Sequence, residues 1–524
     1  MKIWLNLLWK EWHEQQWKLL SLTAIALSVC LTLMCQDLGN VEFSLIFTIF
    51  SFAIFAPIVV GMGVCAGEHA SGVIRFVRAQ PVPMRCVATV RWIVGACVLV
   101  IPLFGASAMC WIAMFFEEQV GPRSVRTAAF FELQSESSET STLLLISAAG
   151  MAACLNLYAW IVAIAVNQRT EFRAGLVGLL VTAGTGVAGI SSLSGWDNHL
   201  PNVSIPNFFC LISGPLVSLG MIDFVRNSLA SLVLIAVVWQ LMLMIGLMLV
   251  MVFRYGREER WLSRDFFHRT YATAQESSAL GKPRSSQWRA LLWLQLRQSI
   301  PVCIVGLCIS LLTVAVSAGF EPDTFDFMYP ALGCVLALLI GVGSFVSELQ
   351  PDLHMFWRSR PISPGSWFWF KYIGGAIALI GLFDAPCMLL AWSGVVRTVS
   401  PGFAAVFPML LHLLCYSLAV FAACSVRHSS YSTVLAVCAL LVIIIPELAE
   451  FQVPRFLSFF TMWRDAALAS ESLAIGAQGY RALWQTGYYA IPFLLPACIL
   501  IGAIALPATV AAAYLVKRDI SLGS

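Results

Sequence analysis

A chain of 524 residues that is 59% hydrophobic and only 11% charged does not have the composition of a soluble protein, in which roughly 25% of residues carry charge. The net charge of +3 gives no basis for a nucleic-acid partner. The apolar residues gather into runs near the ~20 residues that a helix needs to cross a bilayer, so the expected fold class is all-α, a polytopic membrane protein held in lipid.

The chain opens on an amphipathic stretch, Met1–Lys18, with Trp4, Leu5, Leu8, Trp9 and Trp12 at helical spacing and Lys10, Glu11, Glu14 and Lys18 between them. That pattern predicts an interfacial helix with tryptophan at the headgroup level. The apolar run from Leu19 then reads as a first span and not as the core of a cleaved signal. Six spans are expected in the first half, at roughly 19–35, 43–66, 88–116, 142–166, 174–190 and 229–253. Six more are expected in the second half, at roughly 300–318, 328–346, 368–396, 403–425, 431–446 and 489–514. The chain divides accordingly into a six-span unit over 1–253, a polar linker with a second leading helix over 254–298, and a second six-span unit over 299–524. The linker holds Gly281, Pro283 and several serines and is too short and irregular for an enzyme domain.

Lysine and arginine set the direction of insertion. With the N-terminus inside and the spans alternating, 24 of the 31 basic residues fall on the inside. The seven outside are Arg123, Arg126, Arg226, Arg397, Arg455, Arg464 and Arg481. Both termini are therefore expected in the cytoplasm.

The halves match at a fixed offset of 280 residues. Gly61-Met62-Gly63 answers Gly341-Val342-Gly343, Glu68 answers Glu348, Arg78-Ala79-Gln80-Pro81-Val82 answers Arg358-Ser359-Arg360-Pro361-Ile362, and Arg91-Trp92-Ile93-Val94-Gly95 answers Lys371-Tyr372-Ile373-Gly374-Gly375. Both halves start inside and hold six spans, so the repeat is parallel, about an axis along the membrane normal. Positive-inside anchoring accounts for the arginines of the loop after the second span. It does not account for Glu, Arg and Pro kept at one spacing in both loops, which a docking element for a cytoplasmic partner would need.

Chemistry is sparse. His13-Glu14 is followed by Trp17 where a zinc-binding helix needs its second histidine, and Gly281-Lys282 is followed by Pro283 where a phosphate-cradling loop needs Ser or Thr. No catalytic residue and no metal or cofactor is therefore expected in this chain. The sixteen cysteines read as small apolar packing residues, with Cys210 in an external segment. Of the polar residues inside spans, Asn156 and Gln240 stand beside two candidates for a pathway, Asp384 and His412. Asp384 lines a substrate or water path, satisfies backbone freed by Pro386, or pairs with a neighbour.

These residues resemble the membrane subunits of ABC-2 type transporters. The family has six-span units, each led by an amphipathic helix, and a coupling loop between spans two and three. That loop begins with Glu, a few residues and then Gly, continues through a basic and apolar stretch and ends in a Pro-Val or Pro-Ile turn. Here the elements are Glu68, Arg75, Arg78, Pro81 and Arg91 in one half and Glu348, Arg358, Pro361 and Lys371 in the other. The second copy departs from the pattern, with Asp352 where the first has Gly72. The long external segments before each sixth span, about 191–228 and 447–489, match the partly re-entrant helices of the family. The resemblance implies an exporter in the cell (inner) membrane, energised by a separate ABC ATPase, two copies of which would dock on the two loops. Competing readings are a twelve-span secondary carrier of the major facilitator kind, whose loop signature is missing here, and a membrane scaffold without transport.

Overall fold

In the computed structural model the described residues are 2–35, 41–70, 82–120, 139–166, 168, 171–194, 230–255, 295, 300–314, 323–349, 363–393, 401–448 and 490–521. They are helical nearly throughout, and no strand occurs among them. The helices are α1 (Lys2–Cys35), α2 (Val41–Ala70), α3 (Met84–Val120), α4 (Glu139–Ala165), α5 (Glu171–Ser194) and α6 (Ala230–Arg254) in the first half. The second half has α7 (Ile300–Val314), α8 (Asp323–Leu349), α9 (Pro364–Trp392), α10 (Pro401–Val426), α11 (Ser429–Leu448) and α12 (Ala490–Ser521). Seven helices among the described residues are long and apolar enough to cross a membrane. Shorter apolar stretches lie at Phe55–Val64, Val238–Arg254, Ile300–Val314 and Tyr431–Leu440. The chain is an α-helical, multi-pass membrane protein.

The leading helix and the first span form one unbroken helix of 34 residues, about 50 Å at 1.5 Å per residue. Nothing separates them because neither Gly nor Pro occurs between Lys2 and Cys35, so no residue interrupts the hydrogen-bond ladder. The faces of α1 are the reverse of those in a soluble helix. Trp9 and Trp17 are 70% and 63% exposed, whereas Glu11 and Lys18 are buried. Such an aromatic exterior suits lipid and the headgroup layer.

Local chemistry sets the other boundaries. Pro83 precedes α3, and its carbonyl accepts from the amide of Cys86. Ser363 caps α9, its Oγ accepting from the Ser366 amide at 3.2 Å, with Pro364 in the first turn where a missing N–H costs nothing. Within α9, residues Ile380–Asp384 form a π turn, and the Ala385 amide bonds to the Ile380 carbonyl five residues back. Pro386 follows at once and deprives the preceding turn of a donor.

Two helix pairs pack alike. α2 lies on α4, and α8 lies on α10. From α4, Tyr158 donates to the Trp92 carbonyl of α3 at 3.3 Å; from α10, Tyr416 donates to the Tyr372 carbonyl of α9 at 2.9 Å. A side chain at Gly95 would collide with the Tyr158 hydroxyl, and one at Gly375 with that of Tyr416. Gly61 meets Ile161 and Val162, three and four residues after Tyr158; Gly341 meets Ala419 and Val420, three and four after Tyr416. Glycine at these positions lets helix backbones approach closely. The halves share a seam, in which Gly175 of α5 touches Met62 and Leu339 and Gly343 of α8 abuts the Phe172 ring.

The tyrosine–carbonyl bonds predict matched losses. Tyr158→Phe and Tyr416→Phe should each cost about 1 kcal/mol and add in the double variant, because the two sites share no partner. Thermal unfolding of the detergent-solubilised protein measures this. A double variant no less stable than either single would show that the sites are coupled.

Candidate functional site

Buried charge in a lipid-embedded bundle is costly unless it is paired, and here it collects in two places. The first is one end of the bundle. Arg91, two turns into α3, donates from Nε to Glu11 of α1 at 3.0 Å and from a terminal nitrogen to the Tyr255 hydroxyl at 2.9 Å, just after α6. Lys18 of α1 lies over the ring of Tyr431, near the start of α11, with its Nζ 5.4 Å from the centroid. The Tyr431 hydroxyl donates to the Glu14 carbonyl at 2.8 Å. Ser429 donates to Glu171 at the start of α5, and His428 stands 3.9 Å from the same carboxylate. Burial pushes the His428 imidazole below its usual range; Glu171 opposes that shift and Lys18 adds to it. Arg254 at the end of α6 reaches the Ala163 carbonyl near the end of α4.

At the same end of the second half, Lys371 of α9 contacts Glu348 of α8 at 2.6 Å and donates to the Ser344 carbonyl at 2.8 Å. The other Glu348 oxygen accepts from Trp367 Nε1 at 3.1 Å. The loop cations Arg91 and Lys371 thus have neighbours of different origin: Arg91 takes an acid from α1, and Lys371 takes the Glu348 that opens its own loop. Both cations are buried, so they brace the bundle from within. Glu68 lies in the last turn of α2. Arg75, Arg78, Pro81, Arg358 and Pro361 lie outside the described residues, as do Cys210 and all but the first few residues of the long segments before each sixth span.

The second place is inside the second half, where α8, α9 and α10 meet. Asp384 and His412 are fully enclosed. Asp384 Oδ1 lies 2.7 Å from His412 Nδ1 and accepts from the Tyr329 hydroxyl at 3.0 Å. His412 Nε2 lies 3.3 Å from the Pro330 carbonyl. The ring stands edge-on to Tyr329, 5.3 Å between centroids, and a side chain at Gly333 would collide with it. Of the roles considered for Asp384, its partners among the described residues are the neighbouring side chains of His412 and Tyr329 and not backbone freed by Pro386. Tyr329, which gave no signal in the sequence beyond sitting before Pro330, completes the group. Asn156 in α4 is also buried, and neither polar side-chain atom has a hydrogen-bond partner among the described residues.

Fold and site together define a multi-pass helical membrane protein with internally paired charges at one end of its bundle and an acid–histidine pair in one half. Comparison with protein-family models, with curated proteins and with solved structures finds no match.

Proposed function

We propose that this chain is the transmembrane subunit of an ATP-binding-cassette exporter, built as two parallel six-span units and energised by a separate ATPase. The observation that carries the reading is which helix ends gather around the buried charges. The starts of α1, α3, α5, α9 and α11 lie together with the ends of α4, α6 and α8. That arrangement supports twelve alternating crossings with both termini on one side, the side the lysine and arginine bias assigns to the cytoplasm. The paired tyrosine–carbonyl and glycine contacts support two units of one plan. On this reading each of the loops Glu68–Arg91 and Glu348–Lys371 ends on a buried, paired cation, and the second begins on the carboxylate that its cation contacts. Arg75, Arg78, Pro81, Arg358 and Pro361 are then left to meet two ATPase copies. The bracing of Arg91 and Lys371 would carry a push on either loop directly into α1, α3, α8 and α9.

The test is co-purification. Arg78→Ala with Arg358→Ala should release a bound ATPase while the chain stays inserted, because most of the positive-inside bias remains. Losing one partner of a desolvated charge pair typically costs about 2–5 kcal/mol. Arg123→Ala with Arg126→Ala, on the external side of this topology, is the control and should leave binding intact. A double variant that keeps its full complement of ATPase would refute the docking assignment. A wild-type chain with no ATPase would favour a twelve-span secondary carrier, the reading for which the enclosed Asp384–His412 pair speaks.

A further inference from the structure

The π turn in α9 shifts the register between the halves, and the shift creates the acid–histidine group. Upstream of it, positions 280 apart share an environment: Trp92 and Tyr372 each present a carbonyl to a tyrosine, and Val98 and Ala378 are both buried. Downstream the interval is 281. Cys30 of α1 donates to the Ala106 carbonyl, and the Ser310 hydroxyl of α7 lies 3.4 Å from the Cys387 sulfur. Cys110 and Ala391, also 281 apart, are both buried. A π turn adds one residue to a helix, and that is the difference seen. Without it Asp384 would fall with Phe104, which is 63% exposed; with it Asp384 takes the place of Leu103, which is 1% exposed. At the 280 interval Tyr329 stands where the first half has Ile49, and at the interval that sets Tyr158 against Tyr416 His412 stands where it has Cys154, both buried.

We propose that Tyr329, Asp384 and His412 form a proton-binding site confined to the second half. The confinement rests on the two-unit reading; the proton count rests on geometry alone. A carbonyl oxygen only accepts, so the His412 Nε2 facing Pro330 carries a hydrogen. The 2.7 Å contact between Nδ1 and Asp384 Oδ1 needs one more. Without that hydrogen, two lone pairs would face each other, and a net negative charge would sit in an apolar enclosure. The Tyr329 hydroxyl donates to the same Oδ1, so this oxygen accepts from both Tyr329 and the ring, and the hydrogen is assigned to the ring. Among the described residues the remaining titratable neighbours are thiols: Cys334 of α8, Cys387 of α9 and Cys415 of α10. The bound proton therefore ties α8, α9 and α10 together, and its departure requires those helices to part.

Solid-state NMR of the full-length protein, labelled with [15N]histidine and reconstituted in lipid at about pH 8, above the ordinary histidine value near 6.5, tests the site. Of the seven histidines, one should have both ring nitrogens protonated. His412→Gln should remove that signal, and Asp384→Asn should convert it to a neutral ring. If no histidine is doubly protonated, or if the signal survives Asp384→Asn, the proposal is wrong. Should both variants fail to fold, the wild-type spectrum still decides on its own. Loss of ATPase binding would not alter this result, so the two readings fail separately.

Discussion

Replacing Lys371 with Met should destabilise the protein by about 3–5 kcal/mol, the usual result of removing one member of a buried charge pair. The ammonium touches Glu348 at 2.6 Å and also holds the Ser344 carbonyl. Methionine fills most of the same volume but returns neither contact, so the enclosed carboxylate loses the cation against it. The double variant Lys371→Met, Glu348→Gln removes both charges, and the Trp367 indole can still donate to the amide oxygen. It should therefore be more stable than the single variant, because the dominant penalty is the stranded charge and not the missing contact. Thermal unfolding in detergent compares the two. A single variant as stable as wild type would mean that the pair contributes nothing to the packing of α8 on α9.

Gly341→Val should have a comparable effect by a different route, about 3 kcal/mol from overpacking. A Cβ at Gly341 would lie 2.6 Å from the Ala419 Cβ and 2.8 Å from the Tyr416 carbonyl oxygen. Backbone cannot rotate aside as a side chain can, so α8 and α10 must separate. The Tyr416–Tyr372 bond and the Asp384–His412 contact both bridge to α10 and would be stretched together. Gly502→Val in α12, where nothing lies within 4 Å, is the control and should change stability by no more than about 0.5 kcal/mol. Equal unfolding midpoints for the two variants would contradict the close crossing.

Hydropathy made the helices legible, because a run of apolar residues near bilayer length has few other uses. The glycine pairs 61/341 and 95/375 stood out as repeated small residues, and in the structure each receives a side chain or backbone from the next helix. Three things were hidden. The periodicity of α1 separated its tryptophans from its charged residues, and Trp9 and Trp17 are exposed, but it gives no hint that Glu11 and Lys18 turn inward, since their partners Arg91, Glu171 and Tyr431 are distant in sequence. Arg91 and Lys371 read alike as loop cations, yet only a structure could assign one to α1 and the other to Glu348. Asp384 and His412 were visible as costly polar residues inside spans, but their meeting depends on a π turn. A fixed offset of 280 set Asp384 against Phe104 and made it look unmatched in kind and in orientation. A single inserted residue leaves no trace in apolar periodicity, because the sequence on either side remains helical and hydrophobic.

The reversed faces of α1 also set an order of events during synthesis. Lys18 and Glu14 belong to the first helix to leave the ribosome, yet the tyrosine that meets both lies 417 residues beyond Glu14. At about 5–20 residues per second, that interval lasts roughly 20–80 s. Over that interval α1 can already pack on α3, its principal neighbour, whose Arg91 meets Glu11. The contact with α11 therefore closes last, and a chain truncated before Tyr431 would keep the α1–α3 packing but lack the ring over which Lys18 lies.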